Sequence, residues 1–394
     1  MKKMRFMALL MVLVLVFSAC GGKTQENTEE NKEKSDTPAA SEAGNVTEEA
    51  ENTENAESTS FGRISVNGTG FTVNGQDIYM NGVNTPWDNW NDCGGEFDET
   101  FWDIHFETLK SIGVNSVRVW ISCNGANIEI SDDGIVSGPT EAFWEDLGTL
   151  IGLAEKHEIY LMATLMSFDN FKDEGQNYMA WRAMLSSEEG IQSMVDNYVI
   201  PLCEKFGSSP ALWSIDLCNE PDWIAENEEC GKLSWDSICT LFAEECAAIH
   251  ENSDILVTIG FGMIKYNSDK YTKNYGSDEY LKSLSGNENS YVDFDSPHFY
   301  EWEATWYGFP MDKDPVSFGL SGTKPAIIGE FPATGFTDST SGSVAMTASE
   351  CYISLYENGW NGCMAWTSNG VDTCGSMTDF LEGAEEVGNR ISGN

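Results

Sequence analysis

After residue 60, the chain alternates short apolar runs with longer stretches of helical periodicity. Eight runs are rich in aliphatic and aromatic residues, which is typical of buried strands. They cover residues 78–84, 116–121, 159–165, 212–217, 255–260, 294–300, 326–331 and 363–368. Eight strands joined by helices predict an α/β fold, a closed (β/α)8 TIM barrel.

The segments between the runs differ in how clearly they indicate helices. Helical periodicity is clear at 101–112, 142–157, 191–206, 235–250 and 345–357. The connection between the fifth and sixth runs is long and carries little periodicity. Before the first run, residues 64–73 predict a hairpin that closes the bottom of the barrel.

Residues 1–20 have the layout of a secretory signal. Three basic residues precede an apolar run at 6–17 that is too short to span a membrane, and Ser18 and Ala19 then lead to Cys20. A Cys directly after small residues resembles a bacterial lipobox, whose Cys is lipidated and becomes the mature N-terminus. The sequence predicts an extracellular, cell-surface lipoprotein anchored to the membrane through Cys20. An ordinary signal peptide that contains a Cys is the alternative.

Residues 21–60 carry 11 acidic and 3 basic residues and no aromatic residue. Such a segment has too little apolar surface to offset the entropy cost of ordering, so it predicts a disordered acidic linker. A flexible coil of this length reaches on the order of 35 Å. The remaining segment, 61–394, has no further low-complexity break and predicts one large α/β domain, which would carry the function.

The chain is strongly acidic, with 64 acidic and 21 basic residues and a net charge of −43 at pH 7. This charge excludes nucleic acid as a partner and disfavours polyanionic sugars, so a neutral partner fits better. Solubility in a salty setting explains the acidity equally well. The 11 Cys residues form no CxxC and no Cys/His ligand spacing, so we expect no structural zinc, and we expect no other metal or cofactor. We also expect a monomer.

Two of the runs end in a single Glu. Glu220 follows the run at 212–217 directly after Asn219, and Glu330 stands near the end of the run at 326–331. In a parallel barrel the carboxyl ends of the strands meet at one face, where barrel enzymes hold their catalytic groups. Two carboxylates across a cleft can divide the cleavage of a glycosidic bond, since one protonates the leaving oxygen and the other attacks the sugar carbon. The sequence therefore predicts glycoside hydrolysis.

Other side chains of the predicted barrel mouth suit sugar binding. Asn219 could hydrogen-bond a sugar hydroxyl beside the scissile bond. His298 and Tyr300 share one face of their extended run. Trp366 offers a flat apolar face to a pyranose ring, and Trp87 lies in a predicted mouth loop. Each has a structural alternative, which is a polar turn for the Asn, a structural hydrogen bond for the His and core packing for the Trp residues.

Arg118 lies in the otherwise apolar run at 116–121. A cation that faces the interior of a barrel needs an anionic partner. Glu330 is the predicted partner, because pairing would keep a nucleophilic carboxylate ionised. A salt bridge to another core acid is the alternative.

Across residues 61–394 the chain resembles glycoside hydrolases of family 5, which belong to the clan of (β/α)8 retaining enzymes. In that family the acid/base follows an Asn at the fourth strand and the nucleophile ends the seventh. The resemblance implies that Glu220 is the acid/base and that Glu330 is the nucleophile. It also implies a set of residues around the first sugar-binding subsite, namely Arg118, Asn219, His298, Tyr300 and Trp366.

The third run indicates a branch within the family. Residues 170–175 follow the pattern Asn-aromatic-x-Asp-x-Gly, and a Tyr-x-x-Trp pattern follows at 178–181. This is similar to endo-β-1,4-mannanases, whereas cellulase-like members usually have a His near the end of this strand. We expect Asp169 or Asn170 to reach a hydroxyl of the substrate. The alternative is that both residues only turn the loop.

The resemblance implies a retaining endo-β-1,4-mannanase that acts on a neutral β-linked polysaccharide. Three positions depart from the mannanase pattern: Asp222 stands where an Arg is frequent, Glu174 interrupts a pair of glycines, and Pro332 replaces a Gly. These departures concern substrate subsites more than the reaction centre. Two alternatives remain, a β-1,4-glucanase on the same scaffold and a non-catalytic oligosaccharide-binding lipoprotein. The presence of both Glu residues argues against the second.

Overall fold

The computed structural model describes residues 61–337 and 344–393. The predicted signal at 1–20, its Cys20 and the predicted linker at 21–60 lie outside the described residues, so those statements remain predictions. Among the described residues, no helix is both long enough and apolar enough to cross a membrane.

The strands form a barrel sheet and three small accessory sheets within the described residues. In chain order they are β1 (Ile64–Asn67), β2 (Gly70–Val73), β3 (Gln76–Ile78), β4 (Met80–Asn84), β5 (Ser116–Trp120), β6 (Ile128–Ile130), β7 (Val136–Pro139), β8 (Tyr160–Thr164), β9 (Leu212–Asn219), β10 (Leu256–Gly260), β11 (Ile327–Pro332), β12 (Phe336–Thr337), β13 (Val344–Met346) and β14 (Gly362–Trp366). Seven of them pair in parallel in the order β10, β9, β8, β5, β4, β14 and β11. These seven strands correspond to seven of the eight predicted runs.

The barrel closes through residues 294–300, the sixth predicted run. On one side the backbone N–H of His298 donates to the carbonyl of Phe261 at 2.8 Å, and on the other side His298 forms a parallel bridge with Glu330. The segment is not a continuous strand, because Pro297 has no N–H to donate to a neighbouring strand. The segment at 294–300 therefore takes the place of the eighth barrel strand without being a regular strand. The predicted (β/α)8 barrel is confirmed.

Helices cover the outside of the barrel. In chain order they are α1 (Glu99–Ser111), α2 (Glu141–His157), α3 (Tyr178–Leu185), α4 (Glu188–Met194), α5 (Ile200–Phe206), α6 (Pro221–Glu226), α7 (Trp235–Asn252), α8 (Asp278–Ser285), α9 (Ala304–Tyr307), α10 (Pro315–Phe318), α11 (Ala348–Glu357) and α12 (Met377–Ser392). A π-helical turn at Val195–Val199 joins α4 to α5. The weakly periodic connection between the fifth and sixth runs contains the short helix α8.

Helix α2 illustrates how the sequence specifies these outer helices. The Thr140 hydroxyl caps the first turn by accepting from the N–H of Phe143, and such a cap stabilises a helix by about 1 kcal/mol. Phe143, Leu147 and Leu150 are buried at helical spacing, each contributing about 1.5 to 3 kcal/mol. The helix ends at Glu158, which adopts the left-handed conformation. Caps and an apolar face together hold the helix against the strands.

A small antiparallel sheet of β1, β2 and β3 covers the N-terminal end of the barrel. The hairpin predicted at 64–73 is present, and β3 extends it. Phe71 packs edge-on against Trp213 and Phe294, with ring centroids 5.3 Å apart in both cases. Because this end is filled by apolar side chains, the functional cleft lies at the opposite, C-terminal end of the strands.

Candidate active site

Glu220 stands directly after β9, at the point where the chain turns into α6. Its backbone has φ 48° and ψ 58°, a left-handed conformation that costs roughly 1 to 2 kcal/mol for a residue with a side chain. The N–H of Glu220 donates to the carbonyl of Gly260 at 2.8 Å, which anchors the turn to β10. Strain of this kind is maintained where the surrounding structure over-determines it, and here it aims the Glu220 carboxyl into the cleft.

Glu330 belongs to β11 and is 3% exposed. Its Oε1 accepts from Nη1 of Arg118 at 2.6 Å, and its Oε2 accepts from the hydroxyl of Tyr300 at 2.8 Å. Both oxygens are therefore held in place. The predicted pairing of Arg118 with Glu330 is present in the structure.

Arg118 has a second anionic partner that the sequence analysis missed. Its Nε and Nη2 donate to Oδ2 of Asp216 at 3.0 and 2.7 Å. The guanidinium also donates to the side-chain oxygens of Asn84 and Asn219, both at 2.9 Å. Asp216 lies in the apolar run that precedes Glu220, and an acidic residue inside such a run was the signal that could have identified it.

The two Glu carboxyls differ in their surroundings. Burial raises the pKa of Glu220 to about 7, although the nearby Arg118 charge opposes the rise. Burial also raises the pKa of Glu330, and the Arg118 charge and the Tyr300 hydroxyl oppose that rise. Glu330 forms an ion pair with the Arg118 guanidinium and Glu220 does not. The ionised form is therefore favoured more at Glu330, and the protonated form more at Glu220.

His298 lies behind both carboxyls and is fully buried. Its Nδ1 is 3.2 Å from Oε1 of Glu220 and 3.5 Å from Oε2 of Glu330. Burial lowers the pKa of His298 to about 4, so the ring is neutral at neutral pH. Its Nε2 has no hydrogen-bond partner among the described residues, which places the single N–H on Nδ1, where it donates to Glu220.

Glu220, His298 and Glu330 also bring ligand-type atoms within 4.8 Å of one another, the arrangement of a cation site. However, Arg118 already places a permanent positive charge against Glu330. We therefore assign no metal to these three side chains.

The predicted subsite residues occupy two different layers. Asn219, Tyr300, Trp366 and Trp87 line the cleft beside the two Glu residues. Arg118 and His298 do not reach it, since both are fully buried behind the carboxyls. The interpretation of these two as substrate-binding residues is corrected accordingly, because their side chains hold the carboxyls in place.

One wall of the cleft is a cluster of four tryptophans, Trp87, Trp90, Trp120 and Trp366. The Trp87 ring lies 4.7 Å from Trp90, 5.2 Å from Trp120 and 6.1 Å from Trp366, measured between centroids. Trp366 is 5% exposed, whereas Trp90 is 44% exposed. The cluster gives the cleft, of about 460 Å³, an apolar face on which a pyranose ring can stack.

Another part of the cleft lining combines aromatic rings with carboxyls. Phe168 and Trp223 stack with centroids 5.5 Å apart and planes inclined by 27°. Asp169 and Asp222 line the cleft next to these rings, and Trp302 lies at the rim with 52% of its surface exposed. Aromatic faces with flanking hydrogen-bonding groups are suited to a chain of neutral sugars.

Asn170, one of the two residues expected to reach the substrate, does not line the cleft. Its side chain is fully buried, and its Oδ1 accepts from the backbone N–H of Ser167 at 3.1 Å. It therefore shapes the turn after β8, a role that the alternative assigned to both residues. Asp169 is the residue of this pair that faces the cleft.

A (β/α)8 barrel that holds two carboxyls across an aromatic cleft at the C-terminal ends of its strands is the architecture of a glycoside hydrolase. Comparison with known proteins agrees with this class. A mannan endo-1,4-beta-mannosidase of Mytilus edulis is 25% identical over 361 residues, which cover 83% of this chain and 93% of that protein. A second, of Cryptopygus antarcticus, is 23% identical over 344 residues, which cover 79% of this chain and 86% of the other. No protein-family model matches the chain.

Solved structures share the fold. The endo-1,4-beta-mannanase of Eisenia fetida has a TM-score of 0.72 at 20% identity, covering 82% of this chain and 95% of its own. The beta-1,4-D-mannanase of Cryptopygus antarcticus has a TM-score of 0.73 at 20% identity, and the match covers 83% of this chain and 94% of that structure. These structures share the barrel fold of this chain, and the sequence relatives agree with the resemblance to endo-mannanases that the motifs indicated.

Proposed function

We propose that this protein is a secreted, lipid-anchored endo-β-1,4-mannanase that hydrolyses neutral mannan-type polysaccharide with retention of configuration. The relatives that cover most of the chain are mannan endo-1,4-beta-mannosidases, which supports the substrate and the endo mode of action. Export and anchoring through Cys20 rest on the sequence of residues 1–20.

The retaining mechanism rests on the distance between the catalytic carboxyls. One oxygen of Glu220 and one of Glu330 lie within 4.8 Å of each other. Retaining glycosidases hold their carboxyl groups about 5 to 5.5 Å apart, and inverting ones about 6.5 to 9.5 Å apart to leave room for a water. The short separation supports direct attack on the sugar by a carboxylate.

In the first step Glu330 attacks the anomeric carbon, and the bond from that carbon to the glycosidic oxygen breaks. Arg118 and Tyr300 each hold one Glu330 oxygen, so the carboxylate is oriented before the sugar arrives. Glu220 gives its proton to the departing oxygen. Because its pKa is about 7, raised by burial, a large fraction of Glu220 carries that proton at neutral pH.

In the second step a water molecule replaces the departed sugar. Glu220, now ionised, takes a proton from this water, and the resulting hydroxide attacks the glycosyl ester on Glu330. The N–H of His298 continues to hold Glu220 at 3.2 Å, so the same carboxyl is in position for both steps. The product leaves with its original configuration, and both Glu residues return to their starting states.

A panel of polysaccharides tests the substrate. Reducing-sugar release from mannan, glucomannan, xylan and carboxymethylcellulose is expected to be greatest on mannan, with Glu330→Ala as the inactive control. Higher release from carboxymethylcellulose than from mannan would instead identify a β-1,4-glucanase. Retardation by mannan in affinity electrophoresis without any sugar release would identify a non-catalytic binding protein.

A further inference from the structure

Asp222 places another carboxyl beside the acid/base, where the sequence departs from the mannanase pattern. Its side chain is 1% exposed and lines the cleft, and its Oδ1 accepts from the N–H of Gly262 at 2.8 Å. A Cβ added to Gly262 would lie 3.0 Å from Oδ2 of Asp222 and 3.1 Å from Cδ of Glu220. The two carboxyl groups therefore face the same small space.

Glu303 adds a further buried carboxyl behind this pair. It is fully buried, and its Oε1 accepts from the backbone N–H of Tyr300 at 3.1 Å. Its Oε2 has no partner among the described residues. Burial, followed by the nearby carboxyls of Asp222 and Glu220, raises the pKa of Glu303 well above its usual range. None of the steps above uses Asp222 or Glu303.

The charges around the Glu220 and Asp222 carboxyls do not neutralise this pair. The groups near the Glu220 carboxyl are the side chains of Arg118, Asp169, His298, Glu330 and Trp223. The cation near the Asp222 carboxyl is Lys265. Arg118 is already bound to Asp216 and Glu330, and His298 is neutral. Within the described part of the chain, no Lys or Arg forms an ion pair with Glu220 or Asp222.

Two carboxyls that share a small space, one buried and one partly buried, titrate together, because ionisation of one disfavours ionisation of the other. Burial raises the pKa of Asp222 to about 7, and the neighbouring Glu220 raises it as well. At neutral pH the pair therefore retains at least part of a proton that separate carboxyls would have lost.

We infer that Asp222 is a positioning residue that keeps Glu220 protonated until the leaving oxygen takes the proton. This inference rests on the proposed role of Glu220 as acid/base. After proton transfer, the same negative surroundings make the Glu220 carboxylate a stronger base toward the incoming water. One electrostatic arrangement thus serves both steps.

The position of the alkaline limb of kcat/KM on mannan tests the inference. Asp222→Asn removes the charge and keeps the shape, so the limb should move to lower pH by at least about half a unit. Asp222→Glu, which restores the carboxyl, should return the limb toward its wild-type position. Asp372→Asn, at another carboxyl of the same cleft, should leave the limb in place.

A direct titration separates this inference from the proposed function. The carboxyl resonance of Glu220, recorded with ¹³C-labelled Glu and identified by its loss in Glu220→Gln, should titrate at lower pH in Asp222→Asn than in the wild type. An unchanged titration in Asp222→Asn overturns the inference even if mannan is hydrolysed. A wild-type protein that hydrolyses no polysaccharide overturns the proposed function, while the titration still decides the coupling.

Discussion

Nη1 of Arg118 lies 2.6 Å from Oε1 of Glu330, although 212 positions separate the two residues in the chain. The same guanidinium is 2.7 Å from Oδ2 of Asp216, so one buried cation faces two buried carboxylates. Desolvation makes such an arrangement costly unless every partner is present. Arg118 is therefore expected to matter both for folding and for the orientation of the nucleophile.

Arg118→Lys tests this relationship. Lys keeps the charge but cannot span both carboxylates and the two Asn oxygens, so we expect a lower free energy of unfolding, by about 3 kcal/mol. We also expect kcat/KM to fall by roughly a hundredfold or more, which corresponds to about 3 kcal/mol of transition-state stabilisation. Urea unfolding and steady-state kinetics measure the two effects. Arg63→Lys, whose guanidinium binds backbone carbonyls far from the cleft, is the control that should keep wild-type kinetics.

Glu220 and Glu330, the two proposed catalytic residues, should respond differently to truncation. Glu330→Ala removes the proposed nucleophile and should abolish turnover of every substrate. Glu220→Ala should spare the first step for aryl glycosides with good leaving groups, because these need no proton. Added azide should then accelerate the second step and give a β-configured glycosyl azide, which NMR can identify. An α-configured azide would contradict the retaining mechanism.

Asn170 and Asp169 provide a matched pair in one turn. Asn170 is buried and accepts from Ser167, so Asn170→Ala should lower the free energy of unfolding by about 1 to 3 kcal/mol. At temperatures where the protein stays folded, its kcat/KM should remain near the wild-type value. Asp169→Asn, at the residue that faces the cleft, should lower kcat/KM on mannan with a smaller effect on unfolding. The reverse pattern would restore Asn170 as the substrate contact.

The raised pKa of Glu220 also predicts how stability varies with pH. Burial raises the pKa of Glu220 from 4.5 in the unfolded chain to about 7 in the folded protein. Below pH 4.5 the carboxyl is protonated in both the folded and the unfolded state, so its burial does not lower the free energy of unfolding there. The cost grows as pH rises toward 7 and is complete above it. Glu220→Gln removes this cost, so its gain in unfolding free energy over the wild type should increase from pH 4 to pH 8 by on the order of 1 to 3 kcal/mol. Chemical denaturation across this range, with exposed Glu96→Gln as the control, measures the difference.

Anchoring is tested at Cys20, which follows the small residues of the predicted signal. Cys20→Ala should prevent lipidation and move the protein from the membrane fraction to an unprocessed precursor or to the medium. Fractionation with a radiolabelled fatty acid measures both changes. Membrane association without lipid label in the wild type would favour an ordinary signal peptide.

Much of the barrel, and the position of the two Glu residues at its mouth, was predictable because the relevant signals are local. Apolar runs and helical periodicity are properties of neighbouring residues, and seven predicted runs are barrel strands in the structure. The apolar runs also show that each Glu lies at the end of a strand. In a parallel barrel the carboxyl ends of the strands lie at one face. The sixth run was predicted as a continuous strand and is irregular, since Pro297 interrupts the pairing.

The tertiary structure decided which side chains meet. Asp216 joins Arg118 across the barrel interior, a contact between strands that are not neighbours in the sheet. Asn170 turns inward and Asp169 outward in one short turn, a choice set by packing and hydrogen bonds. The sequence alone determined the fold class and the two carboxylates, because periodicity and strand ends are local. The charge environment that divides their roles depends on burial and on partners far along the chain, which the folded structure alone brings together.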